Sequence, residues 1–152
     1  MIAAYRNGEL DADKPFTPKT WDGKWQWTVD GKTGPRVALY AYALSKNNPA
    51  RADLERAYRD FESESRPFFC TSCHNPANPR GINPLMFFTH PAQALVARHD
   101  IVKQLELNRM PPPSGIADDK ARQSLIARAK VFAVAGDRAL AYESRQPARP
   151  AP

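Results

Sequence analysis

Apolar side chains recur at helical spacing over the last two thirds of the chain, and lose that spacing over the first third. Leu54, Ala57, Tyr58 and Phe61 lie three or four positions apart, one face of a helix. Asn48 and Pro49 ahead of them suit an N-cap and a first helical position, and Pro67 closes the segment. A second helix is predicted from near Pro91 to about Asn108, with Leu95, His99, Val102 and Leu105 as its inner stripe. A third is predicted from Asp118 to Ala135. Asp118 and Asp119 sit at its positive end, Leu125, Ala129, Phe132 and Ala133 form its stripe, and Gly136 is its expected C-cap. Asn75, Pro76, Asn78, Pro79, Gly81, Asn83 and Pro84 mark a long loop, and Pro111, Pro112 and Pro113 bar any helix from continuing. Before Asn48 the signals are short. Trp25, Trp27 and Val29 alternate with Gln26 and Thr28 as in a strand, and Asp30–Gly34 reads as a turn. Pro35 then opens a helix, or alternatively a strand, with Val37, Tyr40, Ala41 and Leu44 on one face.

The predicted fold is therefore mainly α. Residues 49–140 form a helical domain, 1–48 an irregular aromatic-rich extension that packs or docks, and 141–152 a proline-rich tail. A chain of 152 residues fits one domain with an extension. No apolar run approaches the ~20 residues that cross a bilayer. The formal charge is +6, unevenly placed. Residues 1–65 hold ten basic and ten acidic side chains; residues 66–152 hold twelve and six, 12 − 6 = +6. The excess suits electrostatic steering toward an acidic partner. Nothing in the chain has the form of a nucleic-acid-binding motif.

That basic half holds the decisive motif, Cys70-Thr71-Ser72-Cys73-His74. C-x-x-C-H is the attachment signature of a c-type haem. Two thiols two residues apart can each add to one haem vinyl group, and the imidazole that follows can bind the iron. Cys70 and Cys73 are the only cysteines. A thioredoxin-like dithiol needs a βαβ context, and a zinc site needs a second ligand pair; neither is visible. A disulfide this local would staple almost nothing.

For the opposite face of the iron the candidates are Met1, Met86, Met110, His90 and His99. Met110 is favoured: it stands beside a triple proline that stiffens its loop, and a thioether raises the reduction potential relative to a second imidazole. His99 is the alternative sixth ligand, and its ordinary role would be a satisfied buried histidine.

Helix, C-x-x-C-H, proline loop, helix, Met-Pro and final helix together resemble a class I-like monohaem cytochrome c over about residues 49–137. The resemblance implies one covalently attached haem in a helical shell. It implies that Ala57, Tyr58 and Phe61 meet Leu125, Ala129 and Phe132. It also implies that Gly81–Leu85 brings the Pro84 carbonyl to the His74 N–H and packs Leu85 on the haem, so that Cys70, Cys73, His74, Pro84, Leu85 and Met110 bind the cofactor. Apolar Leu85, Phe87, Phe88, Leu95 and Val102 would line its pocket.

The expected role is one-electron transfer without substrate chemistry, as a carrier or as the electron-transfer subunit of a respiratory or dehydrogenase complex. Haem attachment in bacteria happens outside the cytoplasm, so a periplasmic or other extracytoplasmic location and a removed leader are expected. The alternative is a five-coordinate or bis-His haem protein for small-ligand binding, sensing or peroxidase activity, which Arg98 and His99 keep open.

Overall fold

A computed structural model describes residues 3–6, 9–15, 39–40, 43–70, 73–74 and 91–146. The expected strand at Trp25–Val29, the segment opened by Pro35 as far as Val37, the loop 75–84 and the stretch from Leu85 to His90 lie outside them. So does the tail from Pro147. The elements are β1 (Ala3–Arg6), β2 (Glu9–Pro15), α1 (Arg51–Ser65), a 3₁₀ turn (Arg66–Phe68), α2 (Pro91–Val96), α3 (Arg98–Glu106) and α4 (Asp119–Glu143). The strands form an antiparallel pair in which Tyr5 faces Leu10 and Arg6 faces Glu9. The rest is mainly helical.

Helix α1 starts two residues later than Asn48-Pro49 suggests. The Asn48 carboxamide oxygen accepts from the Ala50 N–H at 2.9 Å, an Asx-type turn that delivers the chain into the helix. The predicted apolar face is then the buried one: Leu54, Ala57, Tyr58 and Phe61. It packs on α4. Phe132 lies between the two aromatics of α1, stacked on Phe61 at 6.0 Å and edge-on to Tyr58 at 5.7 Å. Tyr40 adds a fourth ring at 6.1 Å from Tyr58 and donates its hydroxyl to the Pro91 carbonyl. Leu39, Tyr40 and Leu44 join this core from the segment ahead of α1.

The second predicted helix is two. The chain breaks at Ala97, between α2 and α3. Leu95 and Leu105 are buried as expected, but Ile101 supplies the middle of the stripe and His99 faces outward. Asp118, expected at the positive end of the last helix, is the N-cap of α4 and accepts from the Ala121 N–H at 3.1 Å. Gly136 does not end that helix. It is buried in the interior of α4, where a Cβ would come within 2.7 Å of Arg98 Cδ and 2.8 Å of Leu95 Cδ1. Its job is close approach of α3, and the helix runs on to Glu143.

Glu143 is where α4 is tied back to the entry of α1. Its carboxylate accepts from the Ser45 N–H (2.6 Å), the Ser45 hydroxyl (2.7 Å) and the Asn48 side-chain amide (2.8 Å). Asn48 also donates to the Ala139 carbonyl at 3.0 Å. Along α1 the partners on α4 then fall in reverse order: Asp60 meets Arg128 at 3.8 Å, and Glu64 accepts from Ser124 at 2.7 Å. The two helices are antiparallel. Helix α3 is antiparallel to α4 as well, since Arg98 and His99 meet Asp137 while Glu106 meets Lys130 at 2.7 Å.

Candidate functional site

These pairings fix which ends of the bundle share space. The C-terminal end of α1, the C-terminal end of α3 and the N-terminal end of α4 lie together. The first leads into Cys70–His74, and the other two hold the loop that carries Met110. The two halves of the sequence-predicted site, 36 positions apart in sequence (110 − 74), emerge from one end of the bundle.

The path from α1 to the motif is held by an ion pair. Glu62 is 3% exposed, and its carboxylate takes Arg66 in a two-point grip, Nε to Oε1 at 2.8 Å and Nη2 to Oε2 at 3.0 Å. A buried carboxylate needs such a partner. The hydrogen bond from Arg66 raises the guanidinium further above its ordinary value. Pro67 follows within the 3₁₀ turn, as its fixed φ allows. Phe69 then turns the chain at a positive φ of 57°, with its ring exposed.

The Cys70 carbonyl accepts from the N–H of Cys73 at 3.3 Å and of His74 at 3.0 Å. Residues three and four positions on therefore return to the face of Cys70, as in one turn of helix. The spacing of the motif thus becomes a common face for two thiols and an imidazole. No disulfide joins the thiols. Cys70 packs against the core and His74 is buried. Burial pushes the Cys70 thiol up to about 11. An activated redox dithiol needs the reverse, a thiolate favoured near neutral pH.

Met110 is half-buried between α3 and α4, with Arg109 exposed beside it. Pro84 and Leu85 lie outside the described residues. His99 is exposed, with its Nε2 2.9 Å from Asp137 Oδ1, and Arg98 Nε reaches the same oxygen at 2.7 Å. Burial works against the Asp137 charge, but the hydrogen bonds from His99 and Arg98 outweigh it and hold this carboxyl below its usual range. A groove of about 480 Å³ between α1 and α4, lined by Asp53, Arg56, Asp60, Val131, Val134 and Arg138 among others, includes none of the motif residues.

Three contributors escaped sequence reasoning. Glu62 and Arg66 form an i,i+4 pair that sequence offers at any helix surface. Asn108 was readable only as a helix end, although an Asn and a Gly bracketing the Met-Pro segment do signal two positive-φ positions. Among the described residues no group of three or more His, Cys, Asp or Glu could hold a metal ion, and no helix is long and apolar enough to cross a membrane.

The described residues fit covalent haem in two respects: the thiols and imidazole share one turn, and a thioether comes from the same end of the bundle. Comparison with protein-family models, curated proteins and solved structures finds no match for the chain.

Proposed function

We propose that the chain is a c-type cytochrome that carries single electrons, with one haem attached through Cys70 and Cys73 and ligated by His74 and Met110. When bound, the haem would supply reversible one-electron exchange at its iron. The protein's part would be to anchor the group through Cys70 and Cys73 and to hold its iron through His74 and Met110, which suits electron transfer rather than substrate chemistry. The observation that carries the reading is the antiparallel arrangement of α1 and α3 against α4, which brings the Cys70–His74 turn and the Met110 loop to one end.

The same geometry favours Met110 over His99 as the sixth ligand. His99 is held by Asp137, 13 residues along α4 from Ser124, which is about 20 Å at the helical rise. A soft neutral ligand such as Met110 would give a moderately high potential. The basic half of the chain suits a redox partner with an acidic docking face. Co-purification separates a free carrier from a subunit of a larger respiratory or dehydrogenase complex. The reading places the protein outside the cytoplasm.

The test is expression in a host that attaches c-type haem outside its cytoplasm, followed by intact mass under denaturing conditions. The mass should rise by one haem, and Cys70→Ala with Cys73→Ala should abolish the increase. A wild-type chain that emerges without haem contradicts the proposal.

A further inference from the structure

A single side chain ties the end of α3 to the segment that leads into α4. The amide of Asn108 spans to Ile116, its Oδ1 accepting from the Ile116 N–H at 2.8 Å and its Nδ2 donating to the Ile116 carbonyl at 3.3 Å. One carboxamide thus does what a pair of facing backbone groups does in a sheet. The outgoing limb is fixed by N–H bonds from Asn108 to the Leu105 carbonyl and from Arg109 to the Gln104 carbonyl, each 3.0 Å. The returning limb is anchored by Ile116, 6% exposed in the core. Inside the ring, the Gly115 N–H donates to the Pro111 carbonyl at 2.8 Å.

The backbone is shaped for this closure. Asn108 sits at φ 50° and Gly115 at φ 71°. A Cβ on Gly115 would fall on both the carbonyl oxygen and the side-chain amide of Asn108. Asparagine tolerates the left-handed region and glycine enters it freely, so each residue type suits its place. Met110 lies within the ring so closed.

We propose that Asn108 is a positioning residue for Met110: its clasp on Ile116 keeps the Met110 loop shut, and so governs how readily an external ligand takes the sixth position. The inference rests on the His74/Met110 reading above. Holding a loop closed in advance removes the ordering entropy that would otherwise oppose ligation.

The test uses the haem-loaded protein, titrated with imidazole and followed by the Met-to-ferric-iron charge-transfer band. Asn108→Gly keeps the positive φ and removes the clasp; Gly115→Ala disturbs it from the other side. Phe132→Leu, which destabilises the bundle far from the loop, is the control. Both clasp variants should bind imidazole about tenfold tighter than wild type, the size expected for losing a pair of ordinary hydrogen bonds. Phe132→Leu should leave imidazole affinity within about twofold, with a lower unfolding midpoint. If wild type shows the band and the clasp variants keep wild-type imidazole affinity, the inference fails while the ligand reading stands. An increase equal in Phe132→Leu also overturns it, because the effect is then general destabilisation. If wild type lacks the band, the ligand reading fails and the inference with it.

Discussion

Replacing Glu143 with alanine should loosen the joint between the end of α4 and the entry of α1. The carboxylate accepts three hydrogen bonds, two from Ser45 and one from Asn48, all between 2.6 and 2.8 Å. Hydrogen bonds to a charged acceptor contribute about 1.5–3 kcal/mol each when measured singly. These three share one carboxylate and part of the site meets solvent, so they do not add. Asn48 also keeps its bond to the Ala139 carbonyl. A loss of about 2–3 kcal/mol is expected for Glu143→Ala. For a chain of this size that is roughly a 6–10 °C fall in Tm. The assay is urea unfolding followed by far-ultraviolet circular dichroism, run as a double-mutant cycle with Ser45→Ala. Coupling of at least ~1 kcal/mol is predicted, since either change removes the Ser45 hydroxyl bond. A loss under ~0.5 kcal/mol, or simple additivity, would refute the tie from Glu143 to Ser45 and Asn48, and with it the contact that sets the entry of α1 beside the end of α4.

Phe132→Ala should cost about 3–5 kcal/mol, because a fully buried ring held between Tyr58 and Phe61 leaves a cavity that neither helix can close; Val131→Ala, on the exposed side of the same turn, should change stability by no more than ~0.5 kcal/mol in the same urea assay. Asp137 has a lowered folded-state value, so its contribution to stability is present above the ordinary carboxylate range and is lost as pH falls through that lowered value. Asp137→Asn should therefore flatten the acid limb of the stability–pH curve below about pH 4, and an unchanged limb would count against the Arg98–His99–Asp137 cluster. In haem-free chain, Cys70 should alkylate slowly at pH 8 and faster only as pH approaches about 11, and iodoacetamide kinetics showing an ordinary thiol would contradict its burial.

The helical part of this fold was legible because periodicity reports burial. Leu54, Ala57, Tyr58, Phe61, Leu125, Ala129 and Phe132 were all assigned to inner faces, and all are buried. The errors have physical causes. Gly136 has the residue type of a helix end, but a helix-interior glycine also serves where a neighbouring helix comes too close for a Cβ. His99 lies at helical spacing from Leu95, yet the buried positions run Ala94, Ala97, Ile101 and Leu105, so the stripe passes beside it and the imidazole turns out to Asp137. At the candidate site, the spacing of Cys70, Cys73 and His74 was legible, but their common face depends on the backbone closing onto the Cys70 carbonyl. The tie between Asn108 and Ile116 was not legible, because it depends on a loop returning to its own start. Nor could the antiparallel sense of α1 against α4 be read from two amphipathic stripes, which match equally well in either direction.

The measurement that bears most directly on the central claim is the absorption spectrum of the purified, haem-loaded protein in its oxidised and reduced forms. The account predicts a low-spin c-type spectrum in both, with the Met-to-iron charge-transfer band in the oxidised form and its loss in Met110→Ala. A high-spin five-coordinate spectrum, a bis-histidine spectrum, or a band that survives Met110→Ala would contradict it.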